Sequence, residues 1–175
     1  MKEIKIQGYG GQGAVTLATL LAQAVTDSGH YSQALPFFGM ERRGAPVRAV
    51  VRISEEPIRV HSQACAAELV LVLSENLIDT ALSSDCLPSA DVVVNAQAPL
   101  ALPGRNVITL DAAGIALDAG LGTAAAAVNV PMYAAACRVL GIDRAVMRAV
   151  LEAKWSGSVG EKNIAAAERA FDAAE

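Results

Sequence analysis

The chain has 175 residues, enough for one domain with its own core. A hydrophobic share of 53% excludes a disordered chain, and aromatics at 4% leave no stacking platform for single-stranded nucleic acid. A net charge of −4 without a basic stripe argues against nucleic acid altogether.

The opening segment, MKEIKIQGYGGQG, has no apolar stretch of signal-peptide length. Ile4 and Ile6 predict a short strand that stops at Gly8. Residues 12–28 predict a helix. Its polar members Thr16, Thr19, Gln23 and Thr26 form one narrow stripe, so most of its circumference is buried, and Gly29 suits the position just past its end. A second short strand is expected at 33–35, ended by Pro36. Residues 36–46 have no period and read as a loop. In the strand expected at 47–53, Arg48 and Arg52 share one face, opposite Val47, Ala49, Val51 and Ile53. Pro57 marks a turn, and residues 58–60 are expected to pair back as a hairpin.

Leu69–Leu73 is a continuous apolar run, the pattern of a strand buried on both faces. A short helix at 76–82 and two more buried strands at 91–95 and 107–110 follow. Residues 112–137 are apolar enough to raise a membrane question. Asp118, Gly120, Gly122, Asn129 and Pro131 interrupt them, and a buried alanine-rich helical layer is the better reading. Asp143 is the expected N-cap of a further helix, with Ile142 and Met147 spaced as a hydrophobic staple. Ser158 and Glu161 have capping-box spacing before the last one. Flexible tips are expected at 83–89 and 154–160. Strands alternating with helices predict an α/β fold spanning 1–175 as a single domain: three-layer and Rossmann-like, with a mainly parallel sheet and helices on both faces.

Gly8, Gly10 and Gly13 satisfy GxGxxG, directly after a strand and opening a helix. Gly8 would allow the turn, Gly10 and Gly11 would let the backbone approach a ligand, and Gly13 would let the helix pack on the strand. Free amides and the helix dipole then favour a phosphate or carboxylate. A tight strand–helix crossing without ligand is the bland alternative. A dinucleotide site also needs a carboxylate about 20 residues on, for the ribose. Residues 31–36 (YSQALP) supply none, and no arginine for NADP, which disfavours a dehydrogenase. In a second loop Glu41, Arg42 and Arg43 stand between Gly39 and Gly44. The arginines there could grip carboxylate or phosphate in bidentate fashion, with Arg48 and Arg52 extending a basic patch. A solvated loop with an internal ion pair is the alternative.

His30 and His61 have no metal-ligand partner at helical spacing and read as surface or capping residues. Cys65, Cys86 and Cys137 are far apart and form no CxxC, so no metal or cluster site follows, and unpaired cysteines fit a reducing cytosol. Trp155 could anchor a partner subunit or pack under the last helix. Glu68 and Asp91 read as edge or capping charges.

GYGGQG, followed by a P-F-F-G-x-E-x-R-G loop and an arginine-bearing strand, resembles the gamma subunit of 2-oxoacid:ferredoxin oxidoreductases of the pyruvate and 2-oxoglutarate type. Gly8, Gly10, Gly11, Gln12 and Gly13 match the family's GxGGQG. Glu41, Arg43 and Gly44 match its ExRGG, with Arg42 between them and Ala45 where the family usually has a second glycine. Val128-Asn129 and Glu161-Lys162-Asn163 match more weakly. The resemblance implies a cytoplasmic, non-autonomous subunit that binds no cofactor alone and contributes to the coenzyme A side of the site. Thiamine diphosphate is then expected in alpha and beta subunits, and iron–sulfur clusters in beta or in a ferredoxin-like delta subunit. No nucleic-acid or membrane partner is implied, and self-association of the isolated chain stays open. Two other readings remain: a stand-alone NAD(P)- or flavin-binding oxidoreductase, and a purely structural subunit.

Overall fold

The computed structural model describes residues 1–37, 45–60, 62, 66–122 and 127–174. Six strands form one sheet: β1 (Lys2–Tyr9), β2 (Tyr31–Phe37), β3 (Pro46–Ser54), β4 (Ala67–Val72), β5 (Cys86–Asn95) and β6 (Val107–Leu110), in the order β2-β3-β1-β4-β5-β6. The pairings from β1 through β4 and β5 to β6 are parallel. Those of β3 with β1 and with β2 are antiparallel. The expected parallel character therefore holds on one side of β1, and an antiparallel hairpin fills the other.

Helices cover the two faces unequally. α1 (Ala14–Asp27), α3 (Ala112–Asp118), α4 (Asn129–Val139), α5 (Arg144–Lys154) and α6 (Gly157–Ala173) pack in one cluster with Ile4, Ile6, Val51, Leu71 and Val93. The opposite face holds a smaller cluster, in which a 3-10 turn at Glu75–Leu77 and the short α2 (Ile78–Leu82) meet Val70, Val72, Val92 and Val94. The alternation along β4 and β5 sends successive side chains into the two clusters.

Alanine explains the layer over the first face. Residues Val130–Cys137 of α4 are all buried, so this helix is enclosed on every side, between α1 and α6. Small side chains let three helix backbones approach closely. The buried layer expected for 112–137 is realised by α4, whereas Leu117 and Asp118 in α3 are exposed and residues 123–126 lie outside the described residues. Among the described residues no helix is long and apolar enough to cross a membrane.

Helix ends follow local chemistry. After α1, Gly29 adopts φ 89°, its amide donates to Thr26 O and that of His30 to Val25 O, which is the Schellman closure. Asp143 holds the N-cap position of α5, and Ile142 and Met147 are buried as the staple requires, although the aspartate side chain makes no cap hydrogen bond.

Four expectations need correction. β2 runs to Phe37, through Pro36, because it is an edge strand where a missing N–H costs no ladder bond. Residues 58–60 form no strand; the carbonyl of Val60 accepts from Arg52 Nη1 at 3.1 Å instead. β5 starts at Cys86, not 91, so only the first residues of 83–89 lie outside a strand. The last helix begins at Gly157 with Ser156 as N-cap, which places Ser158 inside it, so the predicted capping box does not form and, of the tip expected at 154–160, only Trp155 and Ser156 lie outside a helix.

Candidate functional site

β1 is the strand at which the sheet changes direction, flanked by antiparallel β3 and parallel β4. The crevice beyond its carboxyl end is where open α/β sheets take ligands. The glycine loop, 8–13, occupies that position.

Each member of the loop has a distinct part. Gly8 still belongs to β1 and pairs with Val47; a Cβ there would lie 2.7 Å from Leu73 Cδ1, so the position admits only glycine without a shift. The amide of Gly10 donates to Ala45 O at 3.0 Å, and that of Gln12 to Tyr9 O at 3.1 Å. The amides of Gly11 and Gly13 meet no acceptor among the described residues. Gly11 has φ 100° and open space on its side-chain side. Gly13, at φ 77° and ψ 29°, caps α1, and a Cβ there would lie 2.7 Å from Asn129 Nδ2 at the start of α4. The N-termini of two helices thus meet at Gly13, and both dipoles present positive ends to one spot.

The side chain of Gln12 turns back onto the sheet. Its Oε1 accepts the Tyr9 N–H at 2.7 Å, and its Nε2 donates to Leu73 O at 3.4 Å. Leu73 O also accepts from Asn95 Nδ2 at 3.0 Å, and Asn95 Oδ1 accepts the Ala113 N–H at 3.2 Å. Beside Asn95, a polar pocket of about 210 Å³ opens at the ends of β4–β6, lined by Ser74, Glu75, Asn76, Gln97 and Asp111. Sequence reading missed Asn95 and Asn129. The polar residue closing DVVVN was the available signal for the first, and the weak match at Val128-Asn129 for the second.

Glu41, Arg42, Arg43 and Gly44 lie outside the described residues. The base of their loop is fixed: Tyr9 pairs with Pro46, and Gly10 is bonded to Ala45. The extension of the basic patch expected from Arg48 and Arg52 does not form. Arg52 is 1% exposed, pairs with Glu3 at 2.8 Å, and donates to Gln33 and to the carbonyls of Val60 and Ser62. Arg48 pairs with Asp85 and lies 4.0 Å from the centre of the Phe37 ring. On the same face Lys5 Nζ donates to Ala81 O and Ser84 O, each at 2.8 Å. These three cations hold the fold together, since charges taken from water need partners at close range.

The remaining described candidates are structural. His30 Nε2 lies 3.2 Å from exposed Glu55. His61 and Cys65 fall outside the described residues. Cys86 packs against the smaller cluster and Cys137 is buried in the larger, so they lie on opposite faces. Burial pushes the Cys137 thiol up to about 12 and raises the Tyr133 hydroxyl far above its ordinary range. Neither is a nucleophile. Trp155 packs against the main core, the second of its two expected roles. Glu68 and Asp91 are half-buried strand residues of β4 and β5.

The geometry also bears on dinucleotides. The ribose carboxylate of such sites ends a strand parallel and adjacent to β1 on the far side from β4. Here that neighbour is β3, antiparallel, with Pro46 at its start beside Tyr9.

A family model described as pyruvate ferredoxin/flavodoxin oxidoreductase matches residues 3–173. The chain is 41% identical over 176 residues to pyruvate synthase subunit PorC of Methanothermobacter marburgensis, covering 98% of this chain and 97% of that one. It is 40% identical to the pyruvate/ketoisovalerate oxidoreductases common subunit gamma of Thermococcus kodakarensis, over 98% and 96% of the two chains. The crystal structure of pyruvate oxidoreductase subunit PORC from Thermotoga maritima is similar with a TM-score of 0.82 and 28% identity, over 98% of this chain and 95% of that one.

Proposed function

The chain belongs to the pyruvate ferredoxin/flavodoxin oxidoreductase family, as a gamma-type subunit of a multi-subunit 2-oxoacid oxidoreductase, and from that premise we propose that it grips the phosphates of coenzyme A. The observation that carries the proposal is the pair of amides, Gly11 and Gly13, that meet no acceptor among the described residues, at the N-terminus of α1 and at the strand where the sheet changes direction. Such amides, with two helix dipoles behind them, favour negative charge and cost no reorganisation when it arrives.

Gly8 and Gln12 build the loop, Gly10 ties it to the next, and Gly11 and Gly13 face the ligand. Glu41, Arg42, Arg43 and Gly44 are assigned to the same ligand, with Arg43 as the main cation and Glu41 orienting an arginine. Alpha and beta subunits, joined in some assemblies by a ferredoxin-like delta subunit, carry the thiamine diphosphate and iron–sulfur clusters on which decarboxylation and electron transfer depend. The gamma chain lends no acid, base or nucleophile to those steps. It holds the acyl acceptor, gives the complex an assembly surface, and works in the cytoplasm.

Gly11→Asp tests this reading in the assembled enzyme. The new side chain enters open space beside those amides, at a backbone cost from φ 100° that Gly11→Ala shares, and its carboxylate alone competes with the phosphate, so the rise is read against Gly11→Ala. The KM for coenzyme A should rise roughly tenfold at saturating 2-oxoacid, with kcat within about twofold of the parent. An unchanged KM in a fully assembled variant would remove the basis for the reading.

A further inference from the structure

Gln12 and Asn95 share an acceptor, and that shared carbonyl joins two parts of the site. The path runs from the Tyr9 N–H to Gln12 Oε1 (2.7 Å), from Gln12 Nε2 to Leu73 O (3.4 Å), from Asn95 Nδ2 to the same oxygen (3.0 Å), and from the Ala113 N–H to Asn95 Oδ1 (3.2 Å). A carbonyl oxygen has two lone pairs, and both are taken. Both ends of each carboxamide are also in use. Each carboxamide is thereby fixed to backbone groups through its oxygen and its nitrogen.

We propose that Gln12 and Asn95 are positioning residues: a carboxamide relay across the ends of β1, β4 and β5 that holds the amides of Gly11 and Gly13 in their anion-receiving arrangement. The role rests on the coenzyme A reading of that loop. It assigns Gln12 a different task from a ligand contact and brings in Asn95, which belongs to another strand.

The stereochemistry of Gly8 fits this role. A Cβ there would lie 3.3 Å from Gln12 Oε1 as well as 2.7 Å from Leu73 Cδ1. The absent side chain is the room into which Gln12 folds. Gly8 and Gln12 are thus one device, four residues apart, and the residues between them form the loop they hold. Without the relay, the turn closed by the Gln12 amide on Tyr9 O remains, and beyond the β1–β3 pairing the described bond that still ties it to its neighbour is that of Gly10 to Ala45. The free amides would then sample orientations, and binding would carry the cost of ordering them.

The relay also reaches the first turn of α3 and the polar pocket beside Asn95. Pocket and glycine loop therefore share a support. A change at Asn95 touches no residue of the loop, yet it must be felt there.

Two measurements test the relay. In the assembled enzyme, Gln12→Ala and Asn95→Ala should each raise the KM for coenzyme A about fivefold, the worth of one hydrogen bond, with kcat nearly unchanged. The double variant should fall short of the product of the two, since both act through Leu73 O. In the full chain alone, amide hydrogen exchange at Tyr9 should quicken in both variants, while Gly10, bonded to Ala45 instead, keeps its rate and rules out general loosening. Asn95→Ala carries the test by itself if Gln12→Ala does not fold. A raised KM in Gly11→Asp beside parental KM and Tyr9 exchange in Asn95→Ala would overturn the relay alone. Faster Tyr9 exchange with unchanged KM in every variant, Gly11→Asp included, would overturn the coenzyme A reading and the positioning role with it.

Discussion

Glu3 and Arg52 stand directly opposite each other on β1 and β3, and their side chains meet at 2.8 Å with Arg52 1% exposed. Glu3 uses its second oxygen to accept the Ala66 N–H at 2.7 Å, while Arg52 reaches the carbonyls of Val60 and Ser62. The cross-strand pair therefore also ties down the segment between β3 and β4. Arg52→Ala removes the buried guanidinium that Glu3 and the carbonyls of Val60 and Ser62 share, and should cost about 3 kcal/mol. Denaturant unfolding of the isolated chain checks this. A loss below about 1 kcal/mol, the range of surface pairs, would refute the role.

Gly13 combines a left-handed backbone with a close neighbour, and the two costs can be separated. Gly13→Ala should lose roughly 2–3 kcal/mol, from the positive φ together with the contact to Asn129 Nδ2. Adding Asn129→Ala should recover the contact but not the backbone strain, leaving about 1–2 kcal/mol lost. Thermal melts of the two variants and of Asn129→Ala alone form the cycle. Strict additivity would mean that the two residues do not interact.

Asp85 is a residue other than glycine with positive φ, 59°, and its carboxylate pairs with Arg48. Asn tolerates that backbone and keeps an acceptor, so Asp85→Asn should cost under about 1 kcal/mol. Asp85→Val adds a β-branched side chain in a forbidden region and should cost over about 2 kcal/mol. The order of the two melting temperatures is the readout, and equal values would contradict the argument.

The Cys137 thiol should stay unmodified in the native chain at pH 8, because burial moves its titration from about 9.0 to about 12. Mass spectrometry after iodoacetamide, with and without denaturant, reports this directly. The same shift has a stability consequence. The folded value is raised, so the contribution is complete below pH 9 and is lost as pH climbs toward 12, where the unfolded chain gives up a proton the folded one keeps. Cys137→Ala should flatten the decline in melting temperature above pH 9, and an identical slope would count against the burial argument. Tyr133, raised for the same reason, leaves part of the slope in place.

The parts of the fold that were legible in the sequence are those whose cause is local. The apolar run before Ser74, the glycine after α1 and the staple around Asp143 each act over a few residues. The sheet order was not legible. β2 and β3 follow a strand–glycine loop–helix unit that usually leads to a parallel neighbour, and nothing local announces that β3 returns antiparallel beside β1. Arg52 misled for a related reason. Its alternation along β3 correctly gives the face, but whether that face meets water or a covering segment depends on residues some distance away in sequence. Of the candidate site, the glycine loop was visible because glycine spacing encodes backbone shape. Asn95 was not, because its partner Leu73 O is brought to it by strand pairing.

The bond between Gly10 and Ala45 fastens the foot of one loop to the foot of another. The connection between β2 and β3 can therefore gain or lose residues at its tip while its anchorage stays where it is.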